Sequence, residues 1–539
     1  MNIIETILKA DVETKVFILL SLVFLIFVQY KLFKIRLKKL RNFLIFLLHV
    51  AFGALLYFVS KYHFLVHISV YVLPSLIIAG LIHFIGTINF KAKKQQTYKF
   101  YFRTVRGTKV IITNIFRHIA LIGGAGSGKT RGFIKWLIMQ MAKYNFSGLI
   151  HDYKKFDLAK TAYTHYLDSN VQFKGINFFS LRHSFQFNPI SLKAIPAPAY
   201  ANEVAHTFIV NLSKMTKTTD PYFVEAAESL LAAVIWKFRE DIPNKCYFPY
   251  VATYLMLATT EQVNDFLSTN MQAELLASPY RKIIANEKGA SSIESTLANA
   301  LRKVALPEIF WVLSGDDIDP ELNNPESPVL LCITNTMKLE ATYAPIIAMI
   351  IDVCSKSMSE PNKNPSGVIV EEGSVIYLPS LAKMAATLRE YLTFVLFCIQ
   401  DITQGELLYE RLGIKSLLGN LGTHIYGRVM DMETAEKYAK MYGRFFKRFT
   451  SRTRNSSSLG AKSYTESERQ VYVKEPEEFL QLEPFHFFGL VAEGNVKKFD
   501  ETFLMYDEEE FDIPEVKDVT PQMVKANFEK VYNEIKMML

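Results

Sequence analysis

The chain has 539 residues, a formal net charge of +8 at pH 7 and a hydrophobic content of 50%. It exceeds one ordinary domain and is more apolar than a purely soluble enzyme, which calls for membrane segments beside one large or two moderate soluble domains. The four cysteines, Cys246, Cys332, Cys354 and Cys398, form no C-x-x-C pair and have no nearby histidine group, so neither a zinc site nor a disulfide framework is indicated.

Three apolar segments come first: Val16 to Tyr30, Phe43 to Ser60 and Phe64 to Ile88. The second and third approach or exceed the roughly 20 residues that cross a bilayer as a helix. The first is short and fits either a span or an interfacial segment, so two or three membrane helices are expected. Lys31, Lys34, Arg36, Lys38, Lys39 and Arg41, with no acidic residue among them, put the first connection in the cytoplasm by the positive-inside rule. Lys61-Tyr62-His63 is then an outer turn, and Lys91, Lys93, Lys94 and Lys99 leave the large remainder cytoplasmic. Met1 to Ala10 has neither the basic start nor the small-residue cleavage site of a signal peptide. These juxtamembrane cations account for part of the net charge, which therefore does not argue for DNA.

The apolar run Ile119 to Ile122 leads into Gly123-Gly124-Ala125-Gly126-Ser127-Gly128-Lys129-Thr130, a complete G-x-x-x-x-G-K-[ST] loop, and a helix-compatible stretch follows to Lys143. In such a loop the glycines let backbone N–H groups face phosphate oxygens, Lys129 reaches the β- and γ-phosphates, and the Thr130 hydroxyl holds Mg²⁺. A glycine-rich turn that binds nothing is the alternative, and the flanking strand and helix weigh against it. The pattern predicts a nucleoside triphosphatase that uses Mg²⁺.

Beyond Lys99, short β-like runs alternate with helical periodicity, the signature of a parallel sheet covered by helices. The expected strands are Ile119–Ile122, Gly148–Asp152, Gly175–Phe179, Val329–Thr334, Val368–Glu371, Thr393–Ile399 and Thr423–Val429. Between Asn188-Pro189 and Asn324 the runs Tyr200–Leu212, Pro221–Phe238 and Ser292–Val304 read as amphipathic helices, predicting an all-α insertion. The expected division is an anchor over 1–97, a nucleotide-binding domain over 98–190 and 325–515, the insertion over 191–324 and a tail over 516–539.

A triphosphatase needs a carboxylate on a neighbouring strand for the Mg²⁺ shell and usually another to polarise water. Gly367-Val368-Ile369-Val370-Glu371-Glu372 supplies both, with Glu371 on the metal side and Glu372 as the base; paired acids that merely cap a strand or helix are the alternative. Gln400, closing the strand Thr393–Ile399, would face the same crevice and sense the γ-phosphate. Arg389 reads either as a positive charge for a neighbouring subunit's site or as a solvated helix-end arginine. Lys447 to Tyr464 reads as an exposed loop, and its Lys447, Arg448, Arg452, Arg454 and Lys462 are either DNA contacts or plain solvated surface. Val524, Phe528, Val531, Tyr532, Ile535 and Met538 share a helical face behind the acidic Asp507 to Glu510, suited to packing on the body or to docking a partner.

With these residues placed, the chain resembles the membrane-anchored coupling proteins of bacterial conjugation and type IV secretion. The resemblance runs from about Lys99 to Phe503. It rests on the phosphate loop, His151-Asp152-Tyr153-Lys154, Phe187-Asn188-Pro189-Ile190, Asp220-Pro221-Tyr222-Phe223, Ser295-Thr296-Leu297, Val370-Glu371-Glu372, Leu388-Arg389-Glu390-Tyr391, Ile399-Gln400 with Gln404 and Tyr409, and Pro476-Glu477-Glu478-Phe479-Leu480. It departs from the family in reading Glu371-Glu372 where Asp-Glu is usual, and in offering three candidate spans for the usual two. The resemblance implies a RecA-like P-loop NTPase domain with an inserted all-α domain, an N-terminal transmembrane anchor in the bacterial inner membrane and a homo-hexameric ring. It makes Lys129, Glu372, Gln400 and the arginine finger Arg389 the catalytic set. The implied partners are single-stranded DNA with a covalently attached relaxase, relaxosome accessory proteins and the secretion channel. A double-stranded DNA pump of the chromosome-segregation type and a nucleotide-gated receptor with little hydrolysis are the rival readings.

Overall fold

The computed structural model describes residues 12–33, 44–51, 75–81, 98–216, 221–284, 287–454 and 462–539. They form two compact units that divide between Thr97 and Tyr98. In the first, α1 (Val12–Phe33) and helical residues 44–51 and 75–81 leave Leu19, Leu20, Phe24, Phe46 and Ile77 exposed. Gln29, His49 and Ser75 are buried instead, the Gln29 amide bonding the His49 ring and donating to Ser75 Oγ at 2.9 Å. Among the described residues no helix is long and apolar enough to cross a membrane. Much of the second and third apolar segments, the cations Lys34 to Arg41, Lys61-Tyr62-His63 and Lys91 to Lys94 lie outside the described residues.

The second unit opens with the hairpin β1 (Phe100–Arg103) and β2 (Lys109–Ile112), then β3 (Ile119–Ile122). After the phosphate loop, one π-helical turn over Thr130–Ile134 continues into α2 (Lys135–Lys143), followed by β4 (Ser147–Asp152), α3 (Asp157–Tyr166) and β5 (Gln172–Asn177). Eight helices follow before the next strand: α4 (Pro198–Thr216), α5 (Pro221–Asp241), α6 (Phe248–Leu257), α7 (Thr260–Ser268), α8 (Met271–Leu276), α9 (Ser278–Ile284), α10 (Glu287–Val304) and α11 (Pro307–Val312). Side chains start two of them, Thr259 in a capping box with Gln262 and Asn270 accepting from Gln272 and Ala273 N–H.

The chain then returns through β6 (Val329–Thr334), α12 (Glu340–Ser357), β7 (Ser366–Val370), α13 (Leu381–Thr387), β8 (Thr393–Ile399), α14 (Ile402–Asn420), β9 (Thr423–Tyr426) and α15 (Met432–Tyr442). It ends in β10 (Arg444–Arg454), β11 (Lys462–Tyr472), α16 (Pro476–Leu480), β12 (His486–Leu490), β13 (Lys498–Thr502) and α17 (Pro521–Met538). Nine strands form one sheet in the order β13-β12-β9-β3-β8-β7-β4-β6-β5, parallel from β9 to β5 with β12 and β13 added antiparallel at one edge. Every residue of β3, β4, β6, β7 and β8 is buried, because helices cover both faces of a parallel sheet and its strands read as continuous apolar runs. Alternate residues serve opposite layers: Leu121 packs with Leu137 and Ile138 of α2, while Ala120 and Ile122 join Ile347 and Ile350 of α12.

Four local expectations change. The strand expected over Gly175–Phe179 runs over Gln172–Asn177, and the one expected to Val429 stops at Tyr426. β7 ends at Val370, which makes Glu371 the first residue beyond the strand. The expected loop Lys447 to Tyr464 belongs in its described part to an antiparallel ribbon, paired from Arg444↔Tyr472 to Arg454↔Lys462. There Arg444, Phe446 and Arg448 share one face and Phe445, Lys447 and Phe449 the other, so rings and charges are interleaved without the apolar alternation that marks a half-buried strand.

The carboxyl-terminal segment straps the body together. Tyr506 N–H donates to Arg131 O at 2.8 Å while Arg131 Nε donates back to Tyr506 O at 3.0 Å. Glu510 pairs with the buried Lys135 at 3.1 Å, and Lys517 with Asp317 at 2.6 Å. α17 then packs on α6 and α11, with Val524, Val531 and Ile535 buried and Phe528 against Phe310 at 5.1 Å between ring centres. Tyr532, expected on that packed face, is 42% exposed.

Candidate functional site

The phosphate loop turns out of β3 at the carboxyl end of the parallel sheet, where open α/β sheets bind ligands. Its tightest turn needs glycine: Gly128 has φ 90°, and a Cβ there would stand 2.6 Å from Phe485 Cδ1. Phe485 braces the loop, its N–H donating to Ser127 O at 3.0 Å. Lys129 Nζ donates to Gly123 O and, at 3.4 Å, to Gly124 O.

Because β7 lies beside β4, Glu371 faces the residues that follow Asp152. Its carboxylate accepts from Thr130 Oγ1 at 3.1 Å and from Tyr153 N–H at 3.3 Å, and Lys154 Nζ stands 3.8 Å away. Burial raises the Glu371 pKa, opposed by the Lys154 charge and the Tyr153 and Thr130 hydrogen bonds. Lys154 Nζ also lies 3.4 Å from Thr130 Oγ1. Beneath them, His151 Nδ1 contacts Glu371 O at 2.7 Å and burial lowers this ring's pKa to about 4, so it is neutral and pins the strand end. Asp152 accepts from Lys154, Leu158 and Ala159 N–H at 3.0, 3.0 and 2.9 Å, which ties the end of β4 to the start of α3.

Glu372 is buried, has φ 53° and accepts from Ser374 Oγ at 3.1 Å. Its neighbour Gly373 admits no side chain, since a Cβ would meet Phe397 Cε2 at 2.2 Å. Residues Gly124 to Thr130, Glu372 and Gln400 line one cavity of about 680 Å³. Glu371 backs that cavity through Thr130. Arg389 does not join them: it is exposed before the amino end of β8, whereas Gln400 follows the carboxyl end. Seven strand residues separate the two, roughly 23 Å of rise at about 3.3 Å each.

Arg131, Tyr153, Lys154, Lys155, Asp157, Thr336, Met337 and Phe485 also line the cavity, and none carried an expected role. For Lys154 a signal existed, its place just beyond the carboxyl end of a buried strand. For Phe485 there was none, because the loop it braces is more than three hundred positions earlier.

The sequence model of the family described as "Type IV secretory system Conjugative DNA transfer" matches residues 84–486. No individual curated protein matches the chain. Among solved structures, the bacterial conjugative coupling protein TrwBΔN70 in its unbound monoclinic form superposes with a TM-score of 0.59 at 17% identity, covering 77% of this chain and 90% of that one. The plasmid coupling protein TrwB in complex with ADP and Mg²⁺ gives 0.58 at 16% identity over 75% of this chain and 88% of that one. Its complex with the ATP analogue ADPNP gives 0.57 at 15% identity over 75% and 87%.

Proposed function

Because the chain belongs to the type IV secretory system conjugative DNA-transfer family, we propose that it is a membrane-anchored coupling ATPase, one that receives relaxase-linked single-stranded DNA or a protein substrate and drives it into the secretion channel. The observation that carries this reading is the convergence of the phosphate loop, Glu372 and Gln400 on one cavity at the carboxyl end of the sheet. TrwB, which shares the fold, has been solved with ADP and Mg²⁺. In this reading Gly123, Gly124, Ala125, Gly126, Ser127, Gly128, Lys129 and Thr130 cradle ATP. Thr130 and Glu371 hold Mg²⁺, which neutralises phosphate charge when bound. Glu371 suits the task because its carboxylate already reaches the Thr130 hydroxyl. Glu372 orients and deprotonates water, Gln400 reports the γ-phosphate, and Arg389 serves the adjacent subunit of a homo-hexamer. The all-α insertion over 191–324 receives the relaxosome proteins. An inner-membrane anchor is supported by the apolar segments before residue 91 and by the exposed Leu19, Leu20 and Phe24 around buried Gln29.

The test is Lys129→Ala in the full chain. ATP turnover is expected to fall by roughly 100-fold or more while the circular dichroism spectrum is unchanged, since the lysine's charge is used at the phosphates and not in the core. Undiminished hydrolysis and DNA transfer by this variant would remove the assignment.

A further inference from the structure

A second cavity, of about 880 Å³, opens between α14 and α15 on the far side of Ile122, the residue that leads into the phosphate loop. At their amino ends the two helices are tied by Ile402 N–H donating to Thr434 Oγ1 at 3.2 Å, Lys437 and Glu406 pair at 2.8 Å beside the gap, and α14 breaks at Glu410, whose φ is 62°. Protein interiors keep few voids larger than a water molecule, so an apolar gap of this size between covering helices is either filled or closed.

We propose that the gap is a binding site for a single-chain amphipathic anion, an unbranched apolar body with a carboxylate-like head. The floor, Ile122, Ile402, Ile414 and Tyr426, is apolar. Its few polar atoms are already engaged, Tyr426 OH with Met441 Sδ at 3.3 Å and the His424 ring with backbone at Leu421 and Leu418. The floor thus offers nothing to a peptide backbone, whose N–H and C=O groups would be buried unpaired. The mouth carries the opposite chemistry. Lys437 and Lys440 are paired with Glu406, Glu433 and Glu436. Arg411 and Lys415 are exposed and have no carboxylate partner among the described residues. Leu412, 80% exposed, stands between them at the rim. The volume falls within the usual range for small-molecule sites, about 300–1,000 Å³.

The probe is dodecanoate bearing a photoreactive diazirine, added to the full chain in lipid nanodiscs, with adducts mapped by peptide mass spectrometry. Saturable adducts are expected on α14 and α15, competed by unlabelled dodecanoate but not by dodecylammonium or butanoate. Arg411→Glu with Lys415→Glu, which reverses the mouth, and Met441→Trp, which fills the gap, are each expected to reduce these adducts by about tenfold or more. Adducts on residues 12–81 report lipid partitioning and are expected to stay constant. Absence of saturable labelling at α14 and α15, or equal competition by dodecylammonium in the unaltered chain, would overturn the proposal, and the competition arms need no variant to fold. Because the readout is labelling, failure here leaves the nucleotide site untouched.

Discussion

Lys154 and Glu371 depend on one another. Burial raises the pKa of the Glu371 carboxyl, the Lys154 charge is the largest influence opposing that rise, and the same ammonium lies 3.4 Å from the Thr130 hydroxyl on the lining of the phosphate-loop cavity. Lys154→Ala therefore removes one cation from the nucleotide and raises the Glu371 pKa further, and both effects weaken Mg²⁺·ATP. Steady-state hydrolysis is expected to show kcat/KM reduced by roughly 10- to 100-fold, with Lys154→Arg recovering part of it. An unchanged kcat/KM would leave Lys154 as surface. His118 gives a residue-scale prediction for stability. Burial lowers its pKa to about 4, and its Nδ1 accepts from Val395 N–H at 3.0 Å, so the folded ring is neutral. The unfolded ring titrates near 6.5, so between these values the unfolded chain binds the extra proton. The contribution is complete above about pH 6.5 and is lost as the pH falls toward 4, up to about 3 kcal/mol. His118→Asn keeps an acceptor for Val395 on a backbone, φ 61° and ψ 164°, that is as strained for asparagine as for histidine. In urea melts its loss of stability between pH 7.5 and 5 should be smaller than that of the unaltered chain, the buried His151 and His424 contributing to what remains.

Elements differed sharply in how visible they were in the sequence. β3, β6 and β8 were legible to the residue because a strand buried on both faces is a bare apolar run. The acidic pair at the end of β7 and Gln400 at the end of β8 were legible for the same reason, since strand ends in a parallel sheet share one crevice. The β10–β11 ribbon was not, because its strands owe their pairing to backbone hydrogen bonds while their side chains face solvent. The packing of Arg131 on Tyr506 was invisible too, as no periodicity links residues 375 positions apart. The ribbon also sharpens the question of DNA binding. Phe446 is 68% and Tyr464 58% exposed, and Lys447 and Arg448 lie on the same two-stranded ladder, an aromatic and cationic mixture suited to single strands. The side chains of Arg452, Arg454 and Lys462 lie outside the described residues. In anisotropy titrations with an oligo-dT strand, Lys447→Ala with Arg448→Ala should flatten the dependence of log K on log salt by about 0.7 for each phosphate these cations neutralise. Phe446→Ala should weaken binding at constant slope. A slope unmoved by the double variant would assign those cations to solvent, in keeping with the Arg448–Glu468 pair at 2.7 Å.

At the scale of the whole molecule the position of Arg389 decides between a self-sufficient subunit and an assembly. A finger that completes its own site must reach the cavity lined by Gly124 to Thr130, and the length of β8 keeps Arg389 at the opposite end of the sheet. Its charge is felt instead by His118 and Glu493, on the edge away from the phosphate loop. A head-to-tail ring turns this separation into a function, because heterologous contacts set one end of each subunit against the other end of the next. Arg389→Ala should then lose turnover while retaining nucleotide affinity, since the arginine acts only on charge that develops during transfer. Mixing it with Lys129→Ala distinguishes this from a folding defect. Each variant alone is expected to be inactive, but a mixed ring would bring intact phosphate loops beside intact arginines. Random assembly at equal amounts would restore about a quarter of the unaltered activity, half of the sites having an intact loop and half of those an intact neighbour. Recovery near that level, rising and falling with the mixing ratio, is the expected result. No recovery from two variants that both bind nucleotide and co-assemble would mean that Arg389 does not act across a subunit boundary.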